Sequence, residues 1–82
     1  MKTVWTKGLS VQGKDEMTRE FQASAHLRKR LSDILEEKRE VSYRKSLSED
    51  AYASPNWAFQ QADSRGFERA LTEIMSLLDS KV

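Results

Sequence analysis

Cysteine is absent from this sequence of 82 residues, and histidine occurs once, as His26. A disulfide framework, a zinc knuckle and a thiol nucleophile are therefore excluded, and one histidine cannot form a His-rich metal site. We accordingly expect no metal site and no cofactor. The composition is compatible with a reducing cytoplasm.

Long hydrophobic runs and an excess of one charge are also missing. The longest apolar cluster is Ile74-Met75 with Leu77-Leu78, far short of the roughly 20 residues that a membrane helix needs. The N-terminal residues lack the apolar stretch of a secretory signal, so we expect neither a leader nor a membrane partner. Fourteen Lys and Arg against thirteen Asp and Glu leave a formal charge of +1, which indicates neither a basic nucleic-acid-binding tail nor an acidic DNA mimic.

The remaining composition favours a single all-α domain. Glycine occurs three times and proline once, while 38% of the residues are hydrophobic and 33% are charged. Such a chain is too apolar for a disordered tail and too charged for a membrane span.

The N-terminal half predicts an extended arm followed by one long helix. Residues 1–14 contain Gly8 and Gly13, three lysines and no acid, and they show no helical period. Asp15 and Glu16 then suit the positive end of a helix dipole, and good helix formers continue to about residue 45. The apolar positions of this stretch advance by threes and fours, with Ser24 and Lys38 filling the missing positions, in a narrow stripe typical of a coiled-coil seam. They are Met17, Phe21, Leu27, Leu31, Ile34, Leu35 and Val41.

A linker and a second helix follow. The helical period is lost over residues 46–54, and Ser54 with Pro55 predicts a new helix over 55–79, because a serine caps free amides and proline suits the first helical position. The two helices are long enough to fold back into an antiparallel hairpin domain over 15–82. The predicted buried side of the second helix combines its apolar positions: Phe59, Ala62, Gly66 or Phe67, Ala70 or Leu71, Ile74, and Leu77 or Leu78.

Very small residues recur every four positions in the second helix, at Ala58, Ala62, Gly66 and Ala70. Such a ridge lets another helix approach closely. Since a mid-helix glycine costs about 1 kcal/mol relative to alanine, we expect Gly66 to serve close packing. The packing partner is either the first helix of the same chain or a helix of another chain.

The chain carries more apolar residues than one helix pair can bury, and we therefore expect a homo-oligomer or a complex with a partner protein. Aromatic residues dominate the energetics of protein interfaces. The expected partner contacts are Trp5, Tyr52, Trp57 and Phe67.

No residue pattern indicates catalysis, and we expect no enzyme activity. His26 stands alone on the long helix, and no serine lies in a nucleophile-elbow context. A nucleophile, a base and oxyanion donors cannot be assembled from these residues.

Seven basic residues lie between positions 28 and 45, against four acids. A basic stripe of this kind can contact phosphates, with Trp5, Tyr43 and Tyr52 available for base stacking. The preferred interpretation is an ion-paired solvent face, with nucleic-acid binding as the alternative. A second alternative places Arg65 and Arg69 at a pocket for an anionic nucleotide in an oligomer.

Five segments carry a resemblance to small, largely uncharacterised accessory proteins of tailed bacteriophages. They are Trp5-Thr6-Lys7-Gly8-Leu9, Ser54-Pro55-Asn56-Trp57-Ala58, Gln61-Ala62-Asp63, Gly66-Phe67 and Ala70-Leu71. The resemblance implies the cytoplasm of an infected bacterium as the location. It also implies that the protein binds and blocks a host enzyme or defence factor, with a structural role in the virion as another possibility.

A looser similarity is to the phage sponge proteins that sequester cyclic-nucleotide immune signals. Trp57 at the opening of the last helix, followed by Gln61, Gly66-Phe67 and Ala70-Leu71, carries this similarity. The interval from Trp57 to Gly66 is shorter than in that family, so its binding residues are not transferred.

Overall fold

The computed structural model describes residues 1–48 and 52–79. Within these residues, a single turn of 3-10 helix at Thr3–Trp5 precedes the long α-helices, which we number α1 (Val11–Ala23), α2 (Ala25–Ser46) and α3 (Trp57–Leu78). No strand occurs within the described ranges. The prediction of an all-α fold is confirmed.

The helices α2 and α3 pack side by side and run antiparallel. Arg28, near the start of α2, donates a hydrogen bond to the backbone carbonyl of Leu78 at the end of α3. Gln61, near the start of α3, donates to the backbone carbonyl of Ser46 at the end of α2. The pairing of opposite ends gives the helical hairpin that the sequence predicts.

The predicted single helix over residues 15–45 is wrong, because the chain breaks at Ser24 between α1 and α2. The hydroxyl of Ser24 donates to the backbone carbonyl of Phe21 at 2.9 Å, and the guanidinium of Arg28 donates to the same carbonyl at 3.0 Å. In a continuous helix that carbonyl would accept from the amide of Ala25. A serine hydroxyl can interrupt a helix in this way, because it competes with a backbone amide for the same carbonyl acceptor.

The extended arm over residues 1–14 is also corrected. Helix α1 begins at Val11, because the hydroxyl of Ser10 accepts a hydrogen bond from the amide of Gly13 and so acts as an N-cap. Gly8, with a φ of +82°, lets the chain turn between the 3-10 segment and this cap. The glycines that suggested an arm therefore belong to a turn and to the first turn of a helix.

The second helix begins two residues later than predicted, at Trp57 rather than Pro55. The hydroxyl of Ser54 accepts from the amide of Asn56, and its carbonyl accepts from the amide of Trp57. These bonds close a turn ahead of the helix, so the serine does not cap the helix at Pro55. Residues 49–51 of the predicted linker lie outside the described residues.

The seam between α2 and α3 is largely polar. Arg39 donates to the hydroxyl of Thr72, and Arg65 donates to the hydroxyl of Ser46. Leu71 is the buried hydrophobic residue of α3. The Cα radius of gyration is 17.4 Å, against about 12 Å for a compact domain of this length. The hairpin is therefore a thin layer of helices with little interior.

The predicted buried side of the second helix is wrong for most of its members. Phe59, Phe67 and Ile74 are exposed, whereas Leu71 is buried and Leu78 is half-buried. Hydrogen bonds across the seam orient α3 with its polar side towards α2, so most of its apolar side points outward. Four apolar positions of the predicted α2 stripe point outward as well: Leu27, Leu31, Ile34 and Val41.

Within the part of the chain that the structure describes, no helix is both long enough and apolar enough to cross a membrane.

Candidate functional site

The N-terminal segment folds back on the end of the hairpin where α2 begins and α3 ends, and Trp5 lies inside this contact. Its indole N–H donates to the carbonyl of Leu77 at 2.8 Å, and its ring meets Phe21 edge-on with centroids 5.5 Å apart. The guanidinium of Arg28 covers the Phe21 ring at 3.6 Å. Trp5, an expected partner contact, is thus half-buried within its own chain.

Tyr52 and Trp57 form an exposed aromatic pair at the opposite end of the hairpin. Their rings stack with centroids 5.4 Å apart and an interplanar angle of 28°. Both side chains are exposed. We call Tyr52 and Trp57 the hinge-end pair. The structure brings together these two predicted contacts, which five positions separate in the sequence.

Phe67, the fourth expected contact, lies elsewhere. It borders a groove of about 570 Å³ between α2 and α3, together with Ile34 and Val41. Helical periodicity extends the same side of the hairpin to further exposed apolar residues. We call this surface the apolar face, and its members are Leu27, Leu31, Ile34, Val41, Phe67 and Ile74.

The sequence predicts the α2 members of this face as part of a narrow stripe typical of a coiled-coil seam. Their exposure shows that the described hairpin does not cover this part of the stripe. The 3-4 spacing is the signal that indicates a contact surface.

Arg65, one of two arginines proposed for an anionic nucleotide, is engaged within the chain. It pairs with Glu68 at 2.7 Å, donates to Ser46 and Gln61, and lies over the ring of Tyr43 at 4.8 Å. Sequence analysis missed this cluster because its members come from both helices of the hairpin. Arg69 is exposed on α3. The structure does not bring the two arginines into one pocket.

The small-residue ridge faces outward. Ala58, Ala62, Gly66 and Ala70 are all exposed. A Cβ added to Gly66 would meet nothing within 4 Å. Among the residues that the structure describes, the ridge therefore makes no close helix contact, and packing between them does not explain the glycine.

The basic stripe of α2 is partly ion-paired. Lys29 pairs with Asp33 at 2.6 Å and Arg39 with Glu36 at 3.5 Å. The hydrogen bond and charge of Asp33 raise the pKa of Lys29 above its ordinary value. These contacts support the ion-paired interpretation of the stripe, although both pairs are exposed and each contributes little to stability.

His26 is exposed on α2, and the described residues contain no group of three or more metal-ligating side chains. Chemically, the surfaces found here offer apolar contact at the apolar face and aromatic stacking at the hinge-end pair.

No family model, curated protein or solved structure matches this chain. The interpretation of its surfaces therefore depends on their geometry.

Proposed function

We propose that this protein acts without catalysis, by stoichiometric contact with a partner protein, and that the hinge-end pair is the centre of that contact. The observation that carries the proposal is the exposed stack of Tyr52 on Trp57. Two large rings held against each other lose little further conformational freedom on binding, and Tyr and Trp are enriched among residues that dominate interface energies.

The charge of the segment around the hinge-end pair suits a protein partner better than a nucleic acid. Residues 48–82 carry six acids and three bases, so a phosphate backbone would meet a net negative half of the chain. The nucleotide alternative also has less support, because Arg65 is already engaged by Glu68, Ser46 and Tyr43.

The resemblance to phage accessory proteins suggests the class of partner. On that basis we propose a host enzyme or defence factor in the cytoplasm of an infected bacterium, which the protein would inhibit by occupying its surface. We further propose that the active form is a homo-oligomer, because the hairpin leaves many apolar side chains exposed.

The experiment is affinity purification of the tagged full chain from infected bacterial cells, followed by mass spectrometry and reconstitution of the captured protein. We expect a complex of fixed stoichiometry that Trp57→Ala or Tyr52→Ala weakens by tenfold or more, about 1.4 kcal/mol or greater. Val4→Ala is the matched control, since Val4 is also exposed but lies near the opposite end of the molecule. Retention of full affinity by both aromatic variants would refute the proposal.

A further inference from the structure

The apolar face is an uncovered apolar surface along one side of the hairpin, and its members are between 36% and 71% exposed. Phe67, Ile34 and Val41 border one groove, and Leu31 and Leu27 continue the α2 side of it at spacings of three and four residues. Ile74 lies two turns along α3 from Phe67.

The surface area of the chain shows how large the missing contact is. The accessible area is 6517 Å², whereas a folded monomer of this mass exposes about 5,000 Å². The excess of roughly 1,500 Å² per chain is more than the roughly 800 Å² that one partner contributes to an interface of standard size. A second layer of helices on the apolar face would cover part of this excess, since domains are built from two packed layers.

We propose that the apolar face pairs two copies of this chain about a two-fold axis parallel to the hairpin, forming a four-helix bundle in which α2 of each copy lies on α3 of the other. The inference specifies the surface of the homo-oligomer included in the proposed function and is independent of the hinge-end pair. Pairs of helical hairpins commonly complete a core in this way.

The register of the hairpin makes the face self-complementary. A two-fold axis parallel to the helices places α2 of one copy opposite α3 of the other. Each residue and its symmetry mate stay at the same height along the bundle axis. Val41 and Phe67 border the same groove, so Val41 of one copy meets Phe67 of the other at that height. Ile34 precedes Val41 by two turns and Ile74 follows Phe67 by two turns, so the antiparallel direction brings these isoleucines together as well.

Charges at the hinge end of the face agree with this pairing. Lys45 and Asp63 border one concavity, one turn beyond Val41 and Phe67 respectively. The same two-fold axis therefore brings Lys45 of each copy to Asp63 of the other, which gives two Lys–Asp ion pairs per dimer. Lys38, within the stripe, borders the groove and can extend its ammonium to solvent along an apolar stem.

The test is the mass of the full chain by sedimentation equilibrium at micromolar and near-millimolar concentrations. We expect about twice the 9.5 kDa of one chain. Phe67→Glu and Ile34→Glu should shift the mass to that of the monomer. Val11→Glu should not, because Val11 is 80% exposed and lies on α1, which contributes no residue to the lining of the groove.

A charge exchange keeps the test decisive if the glutamate variants fail to fold. Lys45→Glu and Asp63→Lys should each weaken the dimer by about tenfold, and the double variant should recover most of that loss. A wild-type monomer at near-millimolar concentration would overturn the inference, as would an assembly of three or more chains. The inference would also be overturned if Phe67→Glu folds and still dimerises, or if the double variant does not recover the lost affinity. Loss of partner capture in Trp57→Ala with an intact dimer would concern the hinge-end pair alone.

Discussion

The indole N–H of Trp5 donates a hydrogen bond to the backbone carbonyl of Leu77, 2.8 Å away, across 72 positions of sequence. The last four carbonyls of a helix have no partner within it, so this contact satisfies an acceptor at the end of α3. It also holds the N-terminal segment against the hairpin and places the Trp5 ring against Phe21.

Trp5→Phe keeps an aromatic ring and removes the donor. We expect the free energy of unfolding to fall by about 1 kcal/mol, the usual net value of such a hydrogen bond. Urea denaturation followed by circular dichroism measures the change. Val4→Ala, at the exposed neighbouring position, serves as the control and should alter stability by less than about 0.5 kcal/mol. Equal stability of Trp5→Phe and wild type would show that the indole bond does not hold the segment.

Arg28 joins all three helices, because its guanidinium donates to Phe21 and Leu78 carbonyls and covers the Phe21 ring. Arg28→Met preserves most of the stem and removes these contacts, so we expect a loss of about 2 kcal/mol in unfolding free energy. Arg30→Met is the control, since Arg30 is exposed on the same helix. If both variants lose the same stability, general charge on α2 and not the Arg28 contacts would be responsible.

The glycines at positions 8 and 66 should respond to alanine in opposite directions. Gly8→Ala places a side chain at a φ of +82° and should cost about 1–2 kcal/mol. Gly66→Ala adds a Cβ in open space within a helix and should raise the unfolding free energy by up to about 1 kcal/mol. Thermal unfolding of both variants measures the difference. A destabilised Gly66→Ala would show that a second helix packs on the small-residue ridge.

Leu71 is the side chain of α3 with the greatest apolar burial, at 7% exposure. Leu71→Ala should reduce the unfolding free energy by about 2–4 kcal/mol, because the cavity adds to the lost burial. Chemical denaturation at one fixed protein concentration gives the value. Glu73→Ala, at an exposed position of the same helix, is the control and should alter stability by less than about 0.5 kcal/mol. A loss below about 1 kcal/mol for Leu71→Ala would indicate that this position can collapse without a cavity.

The end of α2 could be predicted from local sequence, whereas the start of α1 and the break between α1 and α2 could not. The loss of helical period near residue 46 agrees with the end of α2 at Ser46. The break at Ser24 escaped prediction, because serine is tolerated in helices and the interruption here also needs Arg28. The N-cap at Ser10 was missed because two nearby glycines suggested an arm. A serine directly before the first helical residue is nevertheless a recognised signal for a helix start.

The sequence predicted the exposure of some candidate contacts but not the tertiary packing of Trp5. Exposure of Tyr52, Trp57 and Phe67 agrees with their expected role as contacts, while that role itself stays a prediction. Trp5 has the same aromatic character but lies against Leu77 and Phe21, which no pattern within a few residues can reveal.

The sequence by itself determined the all-α class and the two long segments of the hairpin, because helical period and turn chemistry act within three or four residues. Only the tertiary structure decided which side of each helix faces inward. Phe67 and Leu71 are one turn apart and both strongly apolar, yet Phe67 is exposed and Leu71 is buried. Hydrogen bonds from Ser42 to Glu68 and from Arg65 to Ser46 set that rotation. They join residues 26 and 19 positions apart, a distance over which periodicity carries no information.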